Sequence, residues 1–177
     1  MRKLFTFALI AGFLLSCTSS PDPAIEEAKQ AEAAAKAKAE EHLAVVNKFL
    51  DAYDTHDFKS WRELCTEDYI TFGPQHDAEG TLDDYISYMN GFEGTVDSIE
   101  INTIALFART QDEGDMAGDY VFWWGTNSGY VIEAEKSFTL MIHTAFKMKD
   151  GKIEWGWDFW DTGDFSAQMK GDKKDKK

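Results

Sequence analysis

Cysteine, proline and positive charge are all scarce in this chain. Its 177 residues hold two Cys and three Pro, and 18 Lys and Arg stand against 32 Asp and Glu. Cys17 and Cys65 supply neither a disulfide framework nor the paired spacing of a cysteine metal site. The histidines His42, His56, His76 and His143 lie scattered, with no H-x-H or HExxH spacing, so no metal is expected and solvated or capping roles are. A net charge of −14 repels phosphate backbones and removes nucleic acid from the expected partners. The chain has no glycine-rich nucleotide loop and no G-x-S-x-G, and Asp112–Asp115 lacks the register of an EF-hand. No uncharged apolar run reaches the roughly 20 residues that a membrane-spanning helix needs. Aromatic residues, in contrast, are plentiful: 13 Phe, 6 Trp and 6 Tyr within 44% apolar residues, enough for the core of one ordinary domain.

Behind Met1-Arg2-Lys3, the run at 4–15 (LFTFALIAGFLL) fits the apolar region of a secretory signal peptide. Its end, Leu14-Leu15-Ser16-Cys17, resembles the bacterial lipoprotein signal, which is cleaved before the Cys that then carries lipid. The resemblance implies loss of residues 1–16, lipid on Cys17, and attachment to a membrane of the bacterial cell envelope. Thr18, where an Asp would retain many lipoproteins in the inner membrane, favours the outer membrane in a Gram-negative host. An ordinary signal peptide with an incidental Cys is the alternative. A chain starting at Cys17 keeps 16 basic and 32 acidic side chains, and Cys65 is then expected as a buried, inert thiol on a helix.

Residues 17–42 read as a tether followed by a helical spacer of Ala, Glu, Lys and Gln with almost nothing to bury. At Leu43 the pattern changes: Leu43, Val46, Phe49, Leu50 and Tyr53 recur at helical spacing. Asp57 is a plausible N-cap for a second helix with Phe58, Trp61, Leu64 and Cys65 on one face. Residues 69–73 read as a short strand stopped by Gly73-Pro74, and Thr81 with Asp84 has capping-box spacing for a third helix, with Leu82, Tyr85, Ile86 and Met89 inward. The period then switches to two, with strands expected at about 95–108, 117–125, 134–148 and 152–161, and with turns at 111–115, 126–129 and Asp150-Gly151. Helices followed by an antiparallel meander predict an α+β domain. Residues 166–177 read as a charged, disordered tail.

Phe49-Leu50-Asp51-Ala52-Tyr53 with Asp57-Phe58, then Thr66–Phe72, then Asp150-Gly151-Lys152-Ile153 with Trp157-Asp158, resemble the SnoaL-like group of the nuclear-transport-factor-2-like superfamily over roughly 43–162, within a domain bounded at 43–165. The resemblance implies three N-terminal helices packed on a strongly bent antiparallel sheet, an apolar cone-shaped pocket, frequent homodimers and no cofactor. It covers enzymes (cyclases, ketosteroid isomerases, dehydratases) and binding domains, so it leaves function open. The ketosteroid isomerase tyrosine and acids fall at Phe49, Gly73 and Thr144, which cannot do that chemistry. The acid/base Asp of SnoaL-like cyclases falls at Asp158, with its polar partners at Ile142 and Thr144.

Along the last strand, Glu154, Gly156, Asp158 and Trp160 align with the cone side, and Ile153, Trp155, Trp157 and Phe159 with the outer face. Exposed aromatics in a row mark an interface, so Trp155, Trp157 and Phe159 are expected to join two copies, unless the parity is reversed and these rings are core. On the strand before, Phe138, Leu140, Ile142, Thr144, Phe146 and Met148 share the cone side. Trp123 and Trp124 cannot both point inward. The expected pocket is Phe49, Tyr53, Trp61, Thr71, Ile142, Thr144, Phe146 and Trp160 around Asp158. Three functions follow: binding a small apolar or aromatic molecule, a cofactor-independent reaction with Asp158 as acid/base, or a dimeric interaction module whose cone is self-filled.

Overall fold

Helix α1 runs from Pro23 to Thr55 in the computed structural model, which describes residues 22–75 and 77–170. The signal segment, Cys17, Thr18, His76 and residues 171–177 lie outside the described residues. Pro23 suits a first helical turn, and Asp22 accepts a hydrogen bond from the Ala24 N–H at 3.0 Å. The described part up to Ala34 is a unit of its own, with an exposed Glu26–Lys29 ion pair. The second unit begins at Ala35. Packing starts before Leu43: Lys38 pairs with Asp119, and His42 is buried rather than solvated. Val46, Phe49, Leu50 and Tyr53 then put the expected stripe inward.

The second helix is shorter than its pattern suggests. A 3-10 turn at Phe58–Ser60 leads into α2, Trp61–Leu64. Asp57 does not cap with its side chain; instead the Ser60 hydroxyl donates to the Asp57 carbonyl at 2.6 Å. Cys65 belongs to strand β1 (Cys65–Phe72), not to the helix, yet it is buried as expected, and burial pushes its thiol up to about 12. Strand β2 (Glu79–Thr81) precedes α3 (Leu82–Asn90), where the capping box forms: Thr81 Oγ1 accepts from the Asp84 N–H at 3.2 Å, and Asp84 Oδ2 from the Thr81 N–H at 2.9 Å.

Four long strands follow: β3 (Val96–Gln111), β4 (Gly118–Val131), β5 (Lys136–Lys149) and β6 (Lys152–Trp160). With β1 and β2 they make one curled six-stranded sheet, ordered β2-β1-β6-β5-β4-β3, antiparallel except for β1 beside β6. Residues 126–129 are not a turn. Residues 126–128 pair on both sides, Asn127 with Ile101 and with Leu140, and Gly129 pairs with Phe138, so the ladder overrides their polar, glycine-containing composition. The reversal falls later, before Lys136, where Glu135 has φ 52°. The Asp150-Gly151 hairpin forms as expected, with φ of 52° and 74° at its two residues.

The chain ends in a fourth helix, α4 (Thr162–Lys170), so residues 166–170 are helical and not the start of a disordered tail. Phe165 explains this, because its ring meets Phe138 at 5.4 Å and Trp160 at 6.2 Å. Between helices and sheet, Trp61 is the centre of the core. It stacks on Phe49 at 4.3 Å and on Tyr85 at 4.9 Å, and its Nε1–H donates to the Phe49 carbonyl at 2.8 Å. Each such ring removed from water contributes about 1.5–3 kcal/mol. The fold is the expected α+β cone, with one helix and one short strand more than the sequence reading counted.

One irregularity corrects the strand parity. The β5–β6 register shifts between the pairs Lys147↔Trp155 and Met148↔Ile153, leaving Glu154 as a bulge residue. Ile153 is therefore core, 0% exposed, and not on the outer face. Glu154 does not face the cone but takes ion pairs from Lys147 at 3.1 Å and Lys149 at 3.0 Å. From Trp155 onward the expected alternation holds, with Trp157 and Phe159 exposed.

Candidate functional site

Thr144 on β5 and Asp158 on β6 are direct cross-strand partners, and the Thr144 hydroxyl donates to Asp158 Oδ1 at 2.7 Å. From the helical side, the Tyr85 hydroxyl approaches Asp158 Oδ2 at 3.4 Å and lies 2.6 Å from the Tyr53 hydroxyl. When Asp158 is ionised, Tyr85 donates to it and so accepts from Tyr53. Three chain segments thus converge on one carboxyl: α1, α3 and the β5–β6 pair.

Burial pushes Asp158 up to about 6, against the lowering effect of the Thr144 and Tyr85 hydrogen bonds. Burial, then the charge of Asp158, holds the Tyr53, Tyr69 and Tyr85 hydroxyls well above the ordinary tyrosine range. These tyrosines therefore remain donors at any physiological pH, and Asp158 is the group here that changes charge near neutrality. A carboxyl poised this way can hand a proton to a bound molecule or take one from it.

The cone interior holds two chambers that share a wall. The inner one, about 30 Å³, is lined by Asp158, Thr144, Tyr69, Trp123 and Phe146 among others. That is room for about one water. The outer one, about 170 Å³, is a largely apolar vestibule bounded by Tyr88, Phe92, Phe138, Leu140, Trp160 and Phe165. Tyr53, Tyr85, Asn127 and Ile142 belong to both walls. No Lys or Arg lines either chamber among the described residues. At the shared wall Asn127 Oδ1 is buried and has no hydrogen-bond partner among the described residues. An unpaired buried acceptor costs about 1–3 kcal/mol.

Most of the expected pocket assembles. Phe49, Tyr53, Ile142, Thr144 and Phe146 line the inner chamber or its mouth, and Trp160 lines the vestibule. Trp61 does not, because its indole is consumed by stacking in the core. Thr71 does not either: its methyl lies at the β2 side, beside Gly80. Tyr85 and Asn127 were missed as site residues. Tyr85 carried a signal in its inward helical spacing, while Asn127 was masked by its apparent turn. Trp123 is the inward member of its pair, with Nε1–H donating to Thr103 Oγ1 at 2.9 Å, and Trp124 points outward.

On the opposite face of the sheet, aromatic rings stand in cross-strand register. Trp124 stacks on His143 at 4.0 Å, His143 on Phe159 at 5.6 Å, and Phe107 on Trp124 at 5.4 Å. His143 Nδ1–H donates to the Trp123 carbonyl at 3.0 Å, which fixes the imidazole within this stack. With Trp155 and Trp157 these rings floor an open trough of about 860 Å³.

A cone with a buried acid on β6 opposite a polar residue on β5 is the arrangement that the SnoaL-like resemblance implied, and the SnoaL-like domain profile matches residues 46–155. The chain belongs to the SnoaL-like family. Among solved structures, this SnoaL-like domain is similar to a protein of ketosteroid isomerase-like fold from Catenulispora acidiphila, in complex with trimethylamine. That match has 13% identity and a TM-score of 0.60, covering 71% of this chain and 92% of that one. It is also similar to an LEH-like epoxide hydrolase from M. tuberculosis, with 18% identity, a TM-score of 0.57, and 75% and 92% of the two chains covered. An NTF2-like protein from Burkholderia thailandensis gives 18% identity and a TM-score of 0.59, covering 72% and 96%. At these identities the likeness establishes the shared fold alone. No curated protein matches the chain.

Proposed function

We propose that the SnoaL-like domain binds a small, largely apolar molecule in the vestibule, with the molecule's polar end turned toward Asp158. The observation that carries this reading is the apolar chamber of about 170 Å³ beside a buried carboxyl, with Tyr53, Tyr85, Asn127 and Ile142 forming the wall between them. Apolar walls with a few convergent polar groups are the ordinary make-up of a small-molecule site. Similar folds that hold small molecules, such as the trimethylamine complex, agree with it. Native mass spectrometry of protein taken from its host envelope tests the reading: a retained mass above that of the chain is expected, and a bare chain after gentle extraction would count against it.

A second reading has its own observation. Asp158, held at about 6 with tyrosine donors around it, is suited to cofactor-independent acid/base chemistry of the cyclase, isomerase or dehydratase kind. If turnover of a retained ligand is found, Asp158→Asn, which keeps shape but cannot titrate, should lower kcat at least 100-fold. Equal rates would remove Asp158 from the chemistry.

The outer trough supports a homodimer joined through Trp155, Trp157 and Phe159. Trp157 and Phe159 are 40% and 44% exposed, a large contiguous apolar area to leave in water. Trp157→Glu should convert a dimer to a monomer in analytical ultracentrifugation with an unchanged circular dichroism spectrum. A dimer that persists would exclude this face.

Attachment to the bacterial envelope through lipid on Cys17 completes the proposal, with the outer membrane favoured in a Gram-negative host. No described helix is long and apolar enough to cross a membrane. Cys17→Ser should abolish incorporation of a clickable fatty acid and release the protein from the membrane fraction. Labelling that survives the substitution would overturn the anchor.

A further inference from the structure

We infer that the vestibule takes a methylated ammonium group, with its charge held against aromatic rings and balanced by the Asp158 carboxylate behind them. This rests on the vestibule-binding reading above and names its ligand class. Three observations carry it.

The first is an unbalanced charge. Asp158 is held by two neutral hydroxyls, those of Thr144 and Tyr85, and no Lys or Arg lines either chamber among the described residues. Above about pH 6 most of the carboxyl is ionised. Charges inside proteins are ordinarily paired, so a carboxylate kept without a cation leaves the pairing to what binds. Its charge also reaches the vestibule. Tyr85, which approaches Asp158, lines that chamber too. Burial, then the charge of Asp158, holds the hydroxyl of Tyr88 on the outer wall above the ordinary tyrosine range.

The second is the wall itself. Aromatic side chains make up more than half of the residues lining the vestibule. Their rings stand on crossed planes: Phe165 lies at 85° to Phe138 and at 90° to Trp160, with centroids 5.4 and 6.2 Å away, and Tyr88 lies at 75° to Phe92. Crossed rings can meet a tetrahedral group from several sides. A cation within about 6 Å of a ring centroid is attracted by the ring face, most strongly by that of Trp. The third is access. Tyr88 is 58% exposed, so the wall continues to the surface and a bound cation keeps part of its water. Methyl groups suit the apolar lining, whereas a compact primary ammonium is too strongly hydrated to settle there.

An NMR titration of the full chain at about pH 7.5, read at the methyl groups of Ile99 and Leu140, tests this. The probes are choline, its neutral carbon isostere 3,3-dimethylbutan-1-ol, and toluene. Both residues line the vestibule and neither lines the outer trough. Choline is expected to bind roughly 10-fold tighter than the isostere, although it is the better hydrated of the two. In Asp158→Asn, choline affinity should fall by roughly 10-fold while that of the isostere holds. An isostere that binds as tightly as choline, or toluene shifting these methyls while choline does not, would overturn the ammonium class and leave vestibule binding standing. A choline preference that survives Asp158→Asn would overturn the carboxylate as its counter-charge. If none of the three probes moves these methyls at millimolar concentration, the inference fails together with the reading it rests on.

Discussion

Asp158→Asn is expected to make the protein more stable at pH 8, by up to about 3 kcal/mol, and to leave only about 0.5 kcal/mol of that gain at pH 4. The sign follows from where the proton sits. The folded carboxyl titrates at about 6, against 3.8 when free. Between these values the unfolded chain releases its proton while the folded chain holds it, so wild-type stability falls as pH rises through this window. Above it the full cost of a buried charge is present; below it both states are neutral. Asparagine carries no such cost, and its amide can still accept from Thr144 and donate toward Tyr85. The raw pH profile of the wild type mixes in groups of opposite sign. The Thr81 hydrogen bonds hold Asp84 below its ordinary value, and Lys149 with Lys147 outweighs burial at Glu154, so both lose their contribution as the medium turns acidic. The difference between wild type and Asp158→Asn isolates the one group. Urea denaturation at pH 4, 6 and 8 measures it, and a difference that does not grow with pH would show that Asp158 is not held above its ordinary value.

The largest loss is expected from a change of one methyl group. A Cβ at residue 125 would overlap Trp123 Cζ2 and stand 2.6 Å from the Asn102 carbonyl oxygen. The carbonyl belongs to the neighbouring strand β3, in a stretch where the β3–β4 register shifts between Thr103 and Ala105, and it cannot retreat without breaking the ladder. Relief therefore needs two movements: β4 must shift away from that carbonyl, straining the ladder, and the indole must give up its bond to Thr103 and a site where it is 2% exposed. Displacing a buried tryptophan costs about 3–5 kcal/mol. Gly125→Ala should lower the urea midpoint accordingly and weaken the near-ultraviolet circular dichroism of the protein. A loss under about 1 kcal/mol would mean that both the strand and Trp123 can adjust at little cost.

Local pattern was enough wherever one element decided the outcome. The α1 stripe, the Thr81–Asp84 capping box and the Asp150-Gly151 hairpin each rest on residues within a few positions of one another, and each forms. Asp158 and Thr144 were legible because strand alternation and the family resemblance agreed on them. The rest depends on meetings that no window contains. The Tyr53–Tyr85 contact joins two helices 32 positions apart. Asn127 sits in Thr126-Asn127-Ser128-Gly129, which has turn composition, and only pairing on both sides makes it strand. Alternation cannot choose between Trp123 and Trp124; Gly125, which leaves room for one indole, and Thr103, which accepts its N–H, do so across the sheet. Ile153 was misplaced because a bulge restarts the alternation at Glu154 without any glycine or proline to announce it. Helix α4 went unread because its single ring, Phe165, finds its partners on other elements.

Helix α4 also sets a clock. It buries none of its residues and is fastened by few bonds: the Gln168 side chain to both backbone groups of Thr139 at 2.9 Å, and the Lys136 ammonium to the Met169 carbonyl at 2.8 Å. Yet its Phe165 forms part of the vestibule wall. Segments held this lightly detach far more often than the core unfolds. For a molecule bound as proposed, release of this last helix adds a path in and out that the rigid walls behind it do not offer. Weakening the Gln168 contacts should then quicken exchange in both directions and leave the equilibrium almost where it was, which would place the speed and the strength of binding in different parts of the chain.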